Sequence, residues 1–384
     1  MLGGFKLARL KYEQLEALKE KYNVDRIWSY SRLSTYLERP FEYRLTYLEK
    51  APRGSNIYSY FGTICHDIIQ DFYDDKYPYE DMVKIYERAC VKWKKEGEYK
   101  FMSENVERSY IKNLHDYFKN TEVLPYELEN ETPILIKMHD KKRDKNVVFI
   151  GYADSIYTDE NDITYILDYK TSSKSGFTGA KLKSEKSLQL RLYAEGLHQM
   201  RGIPYEKIRC RFDMQKYYEV WYHSVTAKGV EKITKSKQER FKWVSGMTNK
   251  LSKDLANLGY DPFEVDEMVE VSVEQNNLLN LPQEVQDKYE LHNCYIDVEV
   301  SEEDSNEMMD MIVEVVNEIQ EKEKLDWEVE FPEPPILGSS EQFYWETLAS
   351  HLLPYAKNYQ KNLAMVKGRT EDIEDDDLLA LFED

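Results

Sequence analysis

Apolar residues recur at helical spacing through the first third of the chain, change to a strand-like texture between residues 132 and 171, and return to helical spacing afterwards. In FKLARLKYEQLEALKEKY (5–22), Leu7, Leu10, Leu15 and Leu18 predict a short amphipathic helix. In SYSRLSTYLERPFEYRLTYL (29–48), Ser29 or Ser31 caps a helix bearing Leu33, Tyr36 and Leu37, which Pro40 interrupts before a second turn. FGTICHDIIQDFYDD (61–75) places Ile64, Ile68, Ile69 and Phe72 on a further helix, and residues 81–119 stay helical with a break near Gly97.

TPILIKM (132–138), VVFIGYADSIY (147–157) and ITYILDYKT (163–171) are rich in β-branched and aromatic residues and are separated by the polar turns HDKKRDKN and TDEND. They predict three consecutive antiparallel strands. KSLQLRLYAEGLHQM (186–200) returns to helical period, and KIRCRFDMQKYYEVWYHS (207–224) supplies one or two more strands. From about residue 226 the pattern predicts helix, with a stripe of Met308, Met311, Ile312, Val315, Val316 and Ile319; FPEPPILGSS (331–340) reads as a loop. This gives a helical extension over 1–28, a core over 29–225, a mainly helical acidic region over 226–366 packing on that core, and an acidic tail over 367–384.

A chain of 384 residues, 41% hydrophobic and 32% charged, is too long for a small stapled scaffold and has the balance of a soluble globular protein. No apolar run approaches the roughly 18 residues needed to span a bilayer, and MLGGFKLARLKYEQ lacks a secretory apolar stretch, so the expected location is the cytoplasm, away from membranes. Cys65, Cys90, Cys210 and Cys294 lie far apart without a CxxC pair, which argues for reduced thiols. The net charge of -20 is uneven: residues 261–384 carry 34 Asp/Glu and 7 Lys/Arg, against 38 and 45 in residues 1–260. A mildly basic body joined to an acidic C-terminal part suits a protein that handles a polyanion with one region and limits that contact with another.

The chemistry concentrates in GYADSI and LDYKT. Asp154 lies within one predicted strand and Asp168 near the end of the next, so a tight hairpin brings their carboxylates together beside Lys170. Hard divalent cations such as Mg²⁺ take oxygen ligands and retain water, and an ammonium nearby can orient or help deprotonate the attacking water. These are the parts needed to hydrolyse a phosphodiester. The Asp-Asp-x-Lys pattern alone is weak in so charged a chain; three companions strengthen it. Its charges interrupt apolar strands, where unpaired carboxylates are costly. His66, on an upstream helix, offers an imidazole. Gln189 and Tyr193, four apart, point the same way from the helix after the LDYKT strand.

GTICH, GYADSI, LDYKT and QLRLY, in this order, resemble the RecB-like branch of the PD-(D/E)XK nucleases, and residues 29–48 resemble that branch's opening helix. The resemblance covers about residues 29–222. It implies a restriction-endonuclease-like α/β core, a mixed central β-sheet flanked by helices. It also implies Asp154, Asp168 and the Tyr169 carbonyl as ligands of Mg²⁺ or Mn²⁺, with His66 matching the branch's histidine. Lys170 matches the catalytic lysine, and Gln189 and Tyr193 match its following helix motif. The implied activity is a metal-dependent deoxyribonuclease, an exonuclease of phage or bacterial recombination, replication or repair, with DNA as substrate; the alternative is an inert DNA-binding or scaffold protein that keeps the fold. Branch members that hold an iron-sulfur cluster have Cys where this chain has Arg39, Trp345 and Leu353, so no cluster is expected here.

Other basic segments are KMHDKKRDK (137–145), more often a solvated turn than a DNA contact, KLKSEKS (181–187) and KGVEKITKSKQERFKW (228–243). Residues 371–384 hold eight acids and no base around Leu378, Leu379, Leu381 and Phe382, which reads as a frayed end, a peptide for a replication or recombination partner, or a DNA mimic. Deleting 371–384 separates these readings. Tighter DNA binding at low salt marks a tail acting in cis, loss of a partner in pull-down marks one acting in trans, and no change in either marks a solvated end.

Overall fold

The computed structural model describes residues 10–177, 186–226 and 228–366. Leu7, most of KLKSEKS and the whole tail 367–384 therefore lie outside the described residues. Seven strands form one mixed sheet: β1 (Ile27–Trp28), β2 (Glu129–Asp140), β3 (Lys145–Thr158), β4 (Thr164–Lys170), β5 (Ile208–Val225), β6 (Glu231–Glu239) and β7 (Tyr289–Val298). Their order is β1-β3-β4-β5-β6, with β2 also on β3 and β7 also on β5. β3–β4, β5–β6 and β5–β7 are antiparallel, whereas β1–β3 and β4–β5 are parallel. Helices flank the sheet, and the fold is the mixed α/β arrangement expected of a restriction-endonuclease-like core.

Two strands lie where the apolar pattern predicts helix. β6 (EKITKSKQE) has no apolar periodicity of its own; its conformation comes from pairing with β5, from Tyr217↔Glu239 to Val225↔Glu231. β7 pairs with β5 on both sides of an irregularity between Asp213 and Tyr218. The segment 207–224 is one long strand, β5, and not two.

The chain divides into two compact units. One comprises Phe61–Ile134 and Tyr152–Ser305; the other, within the described residues, comprises 10–60, 135–151 and 306–366.

In the first unit, the turn between β3 and β4 sets the register. The Asp159 carboxylate accepts the Asn161 and Ile163 N–H groups at 3.0 and 2.9 Å, and Asp162 takes the left-handed conformation (φ 61°) that Asp tolerates. The result is Ser155↔Leu167 pairing, which, continued by one step, sets Asp154 against Asp168. A parallel neighbour needs a crossover, and Leu188–Arg201 supplies it as a helix with Leu188, Leu190, Leu192, Ala194 and Leu197 buried. That helix stops at Gly202, whose φ of 67° suits glycine and whose N–H caps the His198 carbonyl.

The same unit buries a polar group around β5. Asp213 accepts the Tyr117 hydroxyl at 2.8 Å, and fully buried Arg240 donates to Asn293 at 2.8 Å with its guanidinium 4.0 Å from the Tyr218 ring centroid. In the second unit, Met308, Ile312, Val313, Val316 and Ile319 are buried on the helix Glu302–Lys322, while Met311 is exposed, so the apolar stripe is rotated slightly from the predicted one. Phe41, Leu45, Ile336, Trp345, Leu352 and Leu353 form an apolar cluster there, with the Phe41 and Trp345 rings 5.5 Å apart; Tyr355 lies exposed outside it.

Burial pushes the Asp213 carboxyl up to about 6, against the pull of the Tyr117 hydroxyl and the Arg240 guanidinium. The folded chain therefore holds this proton more tightly than the unfolded one. The resulting stability is fully present below the ordinary value of 3.8 and is lost as pH rises through about 6. Asp213→Asn keeps an acceptor for Tyr117 and removes the charge. It should raise stability at pH 8 by up to about 3 kcal/mol and flatten its pH dependence, measured by urea denaturation between about pH 4 and 8.

Candidate active site

All the candidate side chains belong to the first unit. Along the helix Ile57–Tyr73, Phe61, Cys65, Ile68 and Ile69 are buried, which leaves His66 half-buried at the edge of that apolar face. His66 Nε2 lies 3.2 Å from Asp154 Oδ1 and 3.8 Å from Glu131 Oε1. The other Asp154 oxygen, Oδ2, accepts the Tyr169 backbone N–H at 3.0 Å. Lys170 Nζ donates to Asp168 Oδ1 at 2.8 Å and lies 2.7 Å from Oδ2. From the crossover helix, Gln189 Nε2 donates to the Tyr193 hydroxyl at 3.2 Å.

The electrostatics follow from two carboxylates opposed in a half-buried place. Burial pushes Asp168 up; Lys170 opposes that rise and Asp154 adds to it. Burial also works against the Asp154 anion, but the His66 imidazole and the Lys170 ammonium outweigh it and hold that carboxyl below its usual range. His66 is held above its usual value, because Asp154 and Glu131 outweigh the burial that disfavours its cation. The Tyr193 phenol is pushed up to about 12, first by burial and then by Asp168 and Asp154, which places it within their field.

His66, Asp154, Asp168, Lys170 and the Gln189–Tyr193 pair are thus brought together. Tyr169 contributes its N–H to Asp154, and its ring stands edge-on to His66 at 6.0 Å. Glu131 was not foreseen. It sits on β2 with a left-handed φ of 48°, which a glutamate seldom adopts, and this turns its carboxylate toward His66. The only signal in the sequence is an acid just ahead of the apolar alternation in ETPILIKM. The basic hairpin 137–145 belongs to the second unit. In the second unit Lys142 pairs with Glu314 at 2.9 Å, Lys145 donates to Gln320 at 2.7 Å, and Arg143 pairs with Asp140 at 3.4 Å.

The sequence profile of the PD-(D/E)XK nuclease superfamily matches residues 27–270. The chain therefore belongs to the PD-(D/E)XK nuclease superfamily, whose members are generally phosphodiesterases and typically use divalent metals. No curated protein matches the chain. A solved structure titled "Crystal structure of SSO0001" shares 15% identity over 54% of this chain and 76% of that one, with a TM-score of 0.18, too low to argue from.

The residues fit a hard cation in an open rather than an enclosed site. Among the described residues no three His, Cys, Asp or Glu side chains converge as a ready cage, since Lys170 and His66 compensate the two carboxylates from within the protein. Two opposed carboxylates are nonetheless a donor set that Mg²⁺ or Mn²⁺ accepts alongside retained water, here with both Asp168 oxygens held against the Lys170 ammonium. Asp154→Asn keeps an oxygen for the Tyr169 N–H and removes the charge facing Asp168. Because His66 and Lys170 favour the Asp154 anion, this variant should melt somewhat lower than wild type in EDTA, and the rise in melting temperature that millimolar Mg²⁺ or Mn²⁺ gives the wild type should vanish. Differential scanning fluorimetry reads both.

Proposed function

We propose that this chain is a metal-dependent deoxyribonuclease that works as an exonuclease in phage or bacterial recombination, replication or repair. The observation that carries this reading is the opposed Asp154–Asp168 pair with the Lys170 ammonium held against it. Asp154, Asp168, the Tyr169 carbonyl and His66 would hold Mg²⁺ or Mn²⁺. When bound, the cation supplies positive charge to the phosphoryl oxygens and makes water a better nucleophile at neutral pH.

The remaining steps belong to the chain's own residues. Lys170 stays charged, because Asp168 and Asp154 outweigh the burial that would neutralise it. It presents a fixed cation to the charge that develops on the phosphoryl group as the P–O bond breaks. Asp168 aims that ammonium, and the Tyr169 N–H fixes the Asp154 carboxylate. Glu131 adds a second negative charge beside His66 Nε2, at 3.8 Å, and so favours the imidazolium. Gln189 and Tyr193 line the strand's path with a hydrogen-bonded amide and phenol. We read Arg39, Trp345 and Leu353 as packing positions in place of cluster thiolates, with fully buried Trp345 against Phe41, Leu352 and Leu353, and the Arg39 guanidinium 3.5 Å from the Tyr344 ring centroid. The tail 371–384 remains a segment for a replication or recombination partner or for the protein's own DNA groove.

Labelled linear and circular DNA, single- and double-stranded, incubated with Mg²⁺, Mn²⁺ or EDTA, tests this reading. We expect metal-dependent degradation of linear DNA and none of circles. Lys170→Ala should lower the rate at least about 1,000-fold while changing DNA affinity by less than about 3-fold. Asp154→Ala and Asp168→Ala should be inactive. Cleavage of closed circles would overturn the exonuclease assignment, and the absence of any metal-dependent cleavage would leave the inert DNA-binding reading in its place.

A further inference from the structure

The start of β2 is pinned within the first unit by the two residues ahead of Glu131. Glu129 accepts both terminal nitrogens of the Arg201 guanidinium, at 2.7 and 2.6 Å, from the end of the crossover helix. Asn130 donates to Asp74 Oδ1 at 2.8 Å, just past the helix Ile57–Tyr73 that bears His66. It also accepts the hydroxyl of Ser155 at 2.7 Å, and Ser155 follows Asp154 on β3. Asn130 therefore braces β2 against both elements that carry the His66 and Asp154 side chains, and Glu131 is the next residue. The left-handed backbone of Glu131, φ 48°, is one that a glutamate adopts only where its surroundings impose it. From that position Oε1 lies 3.8 Å from His66 Nε2, the same nitrogen that lies 3.2 Å from Asp154 Oδ1.

The Tyr169 N–H takes Asp154 Oδ2, and both Asp168 oxygens are held against Lys170, so the oxygen that Asp154 offers beside His66 is Oδ1. Donor atoms about 2.1 Å from one octahedral cation stand about 3.0 Å apart when adjacent and about 4.2 Å apart when opposite. Both separations from Nε2 fall inside that range. In the metal-free chain the His66 imidazole is itself the cation of this group, which makes it an ion-pair cluster and not a preformed cage among the described residues. An ion pair with His66 does not by itself account for Glu131. At 3.8 Å between partly exposed groups such a pair stabilises little, whereas the backbone conformation that delivers the carboxylate is a standing cost. A divalent cation shared with Asp154 and His66 would offset it.

We propose that Glu131 is a further protein ligand of the divalent cation, bound on the His66 side of Asp154, so that His66, Asp154 and Glu131 hold one ion from a helix and two strands. The inference rests on the nuclease reading, whose cation it concerns.

Binding of Mn²⁺ to the full chain without DNA, read from the electron paramagnetic resonance signal of the free ion, tests it apart from activity. Glu131→Gln should weaken Mn²⁺ binding at least about 10-fold. Glu131→Asn should do the same, and because asparagine suits a left-handed backbone its loss cannot come from a strained fold. Repeating Glu131→Gln in a His66→Ala background separates a ligand from a residue that only orients His66. A ligand should cost at least about a further 5-fold there, whereas an orienting residue should cost nothing more. Wild-type Mn²⁺ affinity in both Glu131 variants, or no further loss on top of His66→Ala, would overturn the ligand assignment alone when the wild type binds Mn²⁺ and cuts DNA. A wild type that neither binds Mn²⁺ nor cuts DNA would overturn the nuclease reading and this inference with it.

Discussion

Everything at the candidate site depends on one register. The Asp159 carboxylate closes a short turn, the turn fixes Ser155 opposite Leu167, and the sheet then has to accept two acids face to face where the β3–β4 pairing ends. A slip of one residue would move every side chain of β4 to the other face, carrying Asp168 and Lys170 away from Asp154. The opposed acids are tolerated because His66 reaches over from a helix and Lys170 folds back from its own strand. Each compensating group is also one that phosphodiester chemistry would use, so the features that make the apo site tolerable and those that would make it reactive are the same.

Much of this was legible in the residues because it is local. Strand alternation in TPILIKM, the polar turn TDEND and the i, i+4 spacing of Gln189 and Tyr193 depend only on near neighbours in sequence, and the structure has each where the pattern puts it. What was not legible is what distant partners impose. β6 is a strand only because β5 pairs with it, so EKITKSKQE carries no periodic signal of its own. Glu131 was missed for a related reason, since its approach to His66 depends on a backbone conformation that no residue type announces. The stripe on the helix Glu302–Lys322 was read nearly correctly, but its rotation by about one position buries Val313 and frees Met311.

The long strand β5 also bears on how the chain is made. Its partner β7 is encoded far downstream, so after Val225 has been synthesised a ribosome must add the residues up to Val298 before the pairing at Cys210–Asp213 and Tyr218–Tyr222 can close. At typical elongation rates that is roughly 4 to 15 seconds during which one edge of an apolar, aromatic-rich strand is open. An edge left unpaired for that long invites association with another nascent chain. The charged residues within β5 itself, Arg209, Arg211, Asp213, Lys216 and Glu219, are the kind of gatekeepers that keep such an edge from finding the wrong partner first.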